Sequence, residues 1–553
     1  MGQGAERPGE TGKSKSYTLK KRVEDLIDFQ NYGNYGPERS GMITGSVMEE
    51  VSWNDVGGNG AQSFLKRGVY QNTEVNINAY ERLWGDYNFE GQVFVRKTDD
   101  RRIEDRKDLR LKQLTTQIYN SDNMLMFGDF YGDFSQFTLT SSLEGFYLEL
   151  KPCDTINFKG VAARSQSADN AAGTFWRNVA GGKADYFFFR ESDMFSTFRM
   201  GAQAITSQDD SSSVDSTSRA TPIDDLNNTV VSVDGEITFK KYLSVVYELA
   251  RSAYIANESG PDKKRYKFGN AFRVQPNFRY GPFLFKYLFY FVQPHFYTDV
   301  GSAMSDKQQH QFTVGWALTK KIYASFVENY YWDHLEGSSL TKRTRNNEQY
   351  ITLNLRPFET DPDFNIRTYT NVQQRKSDDS DKTINNITIT PGIGINDRLD
   401  KQTSYGIFYE YRGYVDSKNH KSSDFFNRVG GNMGREQIVF GKRFYGSANI
   451  SMDFHDPKMY KKNEVTTTFS FVGQYNFMAE HMLYFGYNIA TSDTAIAGQD
   501  YFNNMSYVEF NLLMEKKRSA RLVLRGEHNR YNKEDKSLSY DESRVIAKVV
   551  SNF

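Results

Sequence analysis

The chain has 553 residues, and its 69 Lys plus Arg balance 69 Asp plus Glu, so the formal net charge is zero and no basic field is available to hold nucleic acid. Aromatic residues reach 15%, led by 42 Phe and 36 Tyr, while mean hydropathy is −0.67 and no run of about 18 apolar residues occurs, which excludes a membrane-spanning helix. A single cysteine, Cys153, excludes an intramolecular disulfide and a covalent c-type haem, which needs Cys-x-x-Cys-His, and gives no basis for a cysteine-built metal site.

In chain order, residues 1–16 are rich in Gly, Lys and Glu and read as disordered. Residues 17–29 place Leu19, Val23, Leu26, Ile27 and Phe29 on one side of a short amphipathic helix. A Gly/Asn/Pro-rich link follows to Gly41. No apolar core of a secretory signal is present in residues 1–12, so the chain is expected to be a mature, exported form.

From residue 42 the period changes to two. About 26 alternating stretches follow, among them 42–53, 71–84, 86–97, 124–130, 143–151, 183–190, 280–293, 434–442, 519–529 and 541–553, each near the 9–11 residues that cross a bilayer at a steep tilt. Short links such as Lys240-Lys241 and Thr319-Lys320 alternate with long ones such as 165–182, 206–228, 294–307 and 415–433. Tight turns on one side and long loops on the other are the pattern of an up-and-down barrel.

The two faces differ in chemistry. On one side stand Val75, Ile77, Val93, Leu522 and Leu524; on the other stand Glu74, Arg82, Glu90, Arg96, Arg367, Glu410, Arg412, Arg521, Arg525, Glu527, Arg544 and Lys548. A one-residue slip would carry those charges into hydrocarbon at roughly 2–4 kcal/mol each near the midplane, so register is fixed and the charged set is expected to line the lumen. A propeller would repeat every 40 to 50 residues with a blade signature, and no such repeat is present. The expected fold is therefore all-β: a transmembrane antiparallel up-and-down β-barrel over residues 41–553, of about 26 strands (range 22–26), preceded by a periplasmic segment over residues 1–40.

The last stretch, Asp541 to Phe553, alternates Val545, Ala547, Val549 and Ser551 against Arg544, Ile546, Lys548, Val550 and Asn552 and stops on Phe553. It resembles the closing strand of bacterial outer-membrane β-barrels. That resemblance implies a Gram-negative outer membrane, lipid as a partner, and recognition by the barrel-assembly machinery through the final strand, with Phe553 as the closing signal.

A ring of 26 strands about 4.8 Å apart and tilted about 40° is on the order of 50 Å wide, too wide to stand open. Two stretches bear on what narrows it. In residues 283–292 both faces are largely apolar, Phe283, Phe285, Tyr287, Phe289 and Phe291 against Leu284, Lys286, Leu288, Tyr290 and Val292, so the inner face is expected to pack on a loop or a guest. The segment 131–142 carries Phe134, Phe137 and Leu139, greasy for a solvated loop, and is expected to fold inward as a constriction. The Gly-Asp-Phe pattern of residues 128–134, followed by Gly145-Phe146-Tyr147-Leu148, resembles a motif of large outer-membrane barrels.

For function the expectation is a pore or conduit with a polar lumen, not an enzyme. The seven histidines form no His-x-x-x-His pair, no nucleophile elbow or phosphate loop occurs, and the Ser/Asp-rich tract 207–228 reads as solvated rather than as a calcium site, so neither a metal nor a catalytic residue is assigned. A barrel enzyme assembled across strands is a minor alternative. The strand count is similar to the sheath of porin–cytochrome conduits, which implies a multihaem cytochrome from another chain in the lumen and no cofactor in this one. An export channel for polysaccharide or protein, with a periplasmic partner on the short turns, is the alternative. Lipopolysaccharide-insertion barrels carry an amino-terminal domain and paired cysteines, both missing here.

Overall fold

The computed structural model describes residues 41–553 apart from 85, 105–106, 169–173, 191–194, 215–225, 258–263, 338–341, 461, 479 and 517–518. The helix expected over 17–29 lies outside the described residues. The 26 strands, numbered in chain order, form one antiparallel sheet in which each pairs with its neighbours in sequence. The first, β1 (Met42–Gly58), also pairs with the last, β26 (Tyr540–Asn552), from Ser46 opposite Asn552 to Gly58 opposite Tyr540, and this closes the ring. Past the paired strand, Gly45 and Phe553 exchange two backbone hydrogen bonds of 2.9 and 3.0 Å. Closure satisfies the backbone groups that an open edge would leave bare, the condition for a sheet in hydrocarbon.

Alternation assigns the two sides. Val545, Ile407 and Ile450 are each about half exposed on the outer face, at 53, 53 and 52%, whereas Ser52 and Asn54 on the inner face of β1 are buried. An apolar belt around a closed ring matches the hydrocarbon of a bilayer and is unfavourable in water. Carboxylates that break the pattern and face outward have polar neighbours: Glu49 accepts from Gln71 and, at 2.5 Å, from Thr73, and Glu328 accepts from Gln349 at 3.2 Å.

Three differences from the sequence reading bear on the architecture. The strand expected over 434–442 starts ten residues earlier, as β20 (Asp424–Val439), and the strand expected over 183–190 is β8 (Trp176–Arg190). Gly430-Gly431 and Gly181-Gly182 interrupt the alternation that would have marked those extensions. Third, the segment 131–142 is no loop: β5 (Asn123–Ser135) and β6 (Leu139–Cys153) run on as a hairpin whose turn is only residues 136–138.

That hairpin leaves the wall part-way up. β4 (Arg110–Tyr119) pairs with β5 only from Thr115 opposite Gly128 to Tyr119 opposite Met124, and β7 (Ile156–Gln166) takes up β6 from Glu144 opposite Arg164 downward. Gly128 sits at the point of departure with φ +99°, and a Cβ there would lie 1.9 Å from the Leu114 carbonyl oxygen, so glycine alone fits. Asp129 fills the vacated ladder position: its carboxylate accepts from the Leu114 N–H at 2.7 Å, and its carbonyl accepts from the Thr115 hydroxyl at 2.7 Å.

Candidate functional site: the lumen

Beyond Gly128 about nine residues extend to the hairpin tip, a reach of about 30 Å, equal to about six strand spacings. The tip therefore arrives at β13 (Phe283–Val292), having crossed the inner face of β7 to β12. Phe130, Phe134, Leu139 and Leu143 pack on Tyr147, Val161, Val179 and Ile205 of the wall. Phe137 and Leu139 are fully buried and Phe134 is 5% exposed. The Phe137 ring lies 5.6 Å from Tyr290 and 5.7 Å from Phe296, on the inner face of β13 and the loop after it. Tyr290 and Val292 are covered by this packing, while Phe283, Phe285, Tyr287, Phe289 and Phe291 form the outer, lipid side of the same strand.

The loop 293–306, between β13 and β14 (Lys307–Thr319), folds in to meet the tip. The Thr140 N–H donates to the Val300 carbonyl at 2.7 Å and the Ser302 N–H to the Gln136 carbonyl at 2.9 Å, so loop and hairpin extend each other's hydrogen bonding. Asp299 anchors the loop to the wall through Arg177 at 3.1 Å and Ser207 at 2.6 Å. Both apolar clusters among the described residues belong to this assembly.

Beneath the tip lies a buried ionic network that sequence reading missed. Lys183 of β8 donates to the Phe134 carbonyl at 2.7 Å and pairs with Asp234 of β10 (Asn227–Phe239) at 2.9 Å. Arg199 of β9 (Phe195–Asp210) bonds Asp234 at 2.6 Å and also Asp185. Glu248 of β11 (Leu243–Asn257) accepts from Ser135 and from the Phe137 N–H at 3.3 Å, and Arg273 of β12 (Lys264–Tyr280) donates to Gln136 at 2.9 Å. Charges taken out of water need such partners. Lys183, Asp185 and Asp234 could have been flagged as ionic residues on strands otherwise rich in Ala, Gly and Val; their convergence required the hairpin.

The charged residues singled out from the sequence take the following places. Glu74 and Arg96 pair at 2.8 Å, Arg544 pairs with Glu50 at 3.2 Å, and Arg525 bridges Glu509 at 3.1 Å and Glu527 at 2.5 Å. Glu90 accepts from Gln117 at 2.8 Å, Arg521 donates to Asn511 at 3.0 Å, and Arg367 donates to the Tyr350 hydroxyl at 3.0 Å. Glu410 accepts from the Tyr369 hydroxyl, and Arg412 lies 3.8 Å from Asp424 and over the Phe426 ring. Lys548 stands opposite Glu50, and Arg82 ends its strand opposite Asn88. They are spread around the ring rather than gathered at one point. Arg96, Arg544, Arg525 and Arg412 meet carboxylates on adjacent strands, whereas Glu90, Arg367, Glu410 and Arg521 contact neutral groups.

No family model and no curated protein matches the sequence. Among solved structures, the chain is similar to the P pilus usher PapC translocation pore, at 8% identity and TM-score 0.36 over 92% of this chain and 99% of that one. It is similar also to the siderophore receptor PirA from Pseudomonas aeruginosa, at 8% identity and TM-score 0.41 over 92% and 80%, and to OccK5 of the same organism, at 10% identity and TM-score 0.28 over 92% and 98%. The architecture is that of a closed 26-strand antiparallel barrel. Among the described residues no group of three His, Cys, Asp or Glu is placed to hold a metal ion.

Proposed function

We propose that the chain is an outer-membrane pore for polar solutes, narrowed from within by its own β5–β6 hairpin and the 293–306 loop. The observation that carries this reading is the burial of Phe137 between Tyr290 and Phe296: an apolar hairpin tip is held inside a polar lumen by a receptor site built into the wall. The hairpin layer adds about 10 Å to the wall it covers, in a ring on the order of 50 Å wide. The faces of β14 to β26 and β1 to β4 then remain as the wetted side of the passage.

That width also favours a second reading, an export channel for a polymer, over a filter for small ions. Conductance of the purified barrel in planar bilayers tests the pore. Deleting residues 131–141 should raise the single-channel current, and an unchanged current would remove the hairpin from the conduction path. Haem absorbance co-eluting from native membranes would instead support the sheath of a cytochrome conduit.

A further inference from the structure

The uncovered half of the lumen carries a row of directly opposed residues in which six of nine are asparagine. Following directly opposed residues from strand to strand, Asn365 of β17 (Asn365–Ser377) faces Asn396 of β18 (Asn385–Arg398), then Gly406 of β19 (Thr403–Asp416), then Asn432 of β20. The row continues through Asn449 of β21 (Lys442–Pro457), Ser470 of β22 (Glu464–Met478), Asn488 of β23 (His481–Asp493) and Met505 of β24 (Tyr501–Glu515) to Asn529 of β25 (Ala520–Lys533). All face inward, on the side of Arg428, Asp453 and Arg525, opposite the exposed Ile407, Val429 and Ile450.

Because strands are tilted, such a row climbs. Eight spacings of about 4.8 Å at about 40° rise about 25 Å, the height of the apolar band. The strand positions agree: Asn365 is the first residue of β17 and Asn529 the tenth of β25, which runs the same way. The row therefore leads from one mouth of the barrel toward the other.

Six of its nine positions are amides, the others being Gly406, Ser470 and Met505. The Asn396 and Asn432 amides meet over Gly406, where a Cβ would lie 2.5 Å from Asn396 Oδ1 and 3.1 Å from Asn432 Nδ2. Asn488 and Asn529 each keep a buried amide oxygen with no hydrogen-bond partner in the protein. The flanking rows, from Phe408 through Gly430 and Ser451 to Ala490 and from Ser404 through Gly434 and Val472 to Tyr507, are uncharged between Arg367 and Arg398 toward β17 and Glu527 on β25. Two rings lie along this corridor in the place of a missing side chain. Phe408 reaches within 2.6 Å of where a Gly430 Cβ would be, and Tyr507 within 2.2 Å at Gly486.

We propose that this asparagine row, flanked by Phe408 and Tyr507, is a sliding track for a neutral, polyhydroxylated cargo, an oligosaccharide or polysaccharide. The inference rests on the pore reading and adds its substrate class. An amide offers both a donor and an acceptor, as a sugar hydroxyl does, so each rung can exchange hydrogen bonds with any register of the polymer. Phe408, lying on the wall, presents an apolar surface to the C–H faces of sugar rings, and Tyr507 carries the Arg525 guanidinium 4.4 Å over its ring. The uncharged middle of the corridor, between Arg367 and Arg398 at one end and Glu527 and Glu542 at the other, offers several weak neutral sites that let a polymer move without being trapped.

The test is the ion current through single wild-type barrels with a neutral dextran fraction added, against polyethylene glycol of the same hydrodynamic radius. Dextran should produce blockades at least tenfold longer than polyethylene glycol. In the triple variant Asn396→Ala, Asn432→Ala, Asn449→Ala the dextran dwell time should fall to the polyethylene glycol value. Equal dwell times for the two polymers in the wild type, or a variant that holds dextran as long as the wild type does, would overturn the track while leaving the pore intact. Absence of any ion current would overturn the pore reading itself, and the track with it.

Discussion

Phe137 at the hairpin tip gives the sharpest test of how the lumen is narrowed. Docking buries Phe130, Phe134, Phe137, Leu139 and Leu143, at about 2 kcal/mol each or about 10 kcal/mol before the cost of ordering the hairpin is counted. Phe137→Ala removes a fully buried ring between two aromatic partners, for a loss of about 3–5 kcal/mol. Since about 1.4 kcal/mol is a factor of ten, transient undocking should become about two to three orders of magnitude more frequent. Thr138, fully buried beside it, is the reporter position. In a Cys153→Ser background, the rate at which Thr138→Cys reacts with a water-soluble thiol reagent should rise by that factor when Phe137→Ala is added. The same variant should show brief high-current openings in planar bilayers. A labelling rate that changes less than tenfold would refute the claim that the Phe137 contacts hold the hairpin in the lumen.

Lys183→Met leaves Asp234 with Arg199 as its remaining cation and strips the Phe134 carbonyl of its donor; a loss of about 3–5 kcal/mol is expected, read as a lower unfolding midpoint in detergent. Gly128→Ala sets a Cβ against the Leu114 carbonyl at a left-handed φ, so the yield of folded, heat-modifiable barrel should drop sharply, and a normal yield would show that the hairpin departs elsewhere. Removing Phe553 deletes both hydrogen bonds to Gly45, and membrane assembly measured by protease resistance should slow. In the loop after β3 (Asn88–Thr98), burial works to push the Asp100 carboxyl up, but hydrogen bonds from the Arg102 side chain and backbone, together with its charge, outweigh it and hold the group below its ordinary value of 3.8. That contact therefore stabilises the loop above about pH 4 and is lost as pH falls further. Proteolysis within residues 99–109 should accelerate on acidification below about pH 4, and Asp100→Asn should remove that pH dependence.

The sequence by itself determined the closed barrel, because a period of two with opposite chemistries on the two faces has one low-energy solution in a bilayer. Strand number and the closing role of the last strand follow from that local pattern, and two strand starts were misplaced where the glycine pairs Gly181-Gly182 and Gly430-Gly431 broke it. The tertiary structure decided what the lumen contains. Gly128 reads as an ordinary strand glycine until its φ and the Leu114 carbonyl are seen, so a hairpin leaving the wall looked like a greasy loop. The Lys183, Arg199, Asp234 network joins residues 51 positions apart at its ends, and the asparagine row joins six side chains 164 residues apart end to end (529 − 365). Such rows depend on the stagger of each strand against the next, a sum of register choices that no single stretch of the chain records.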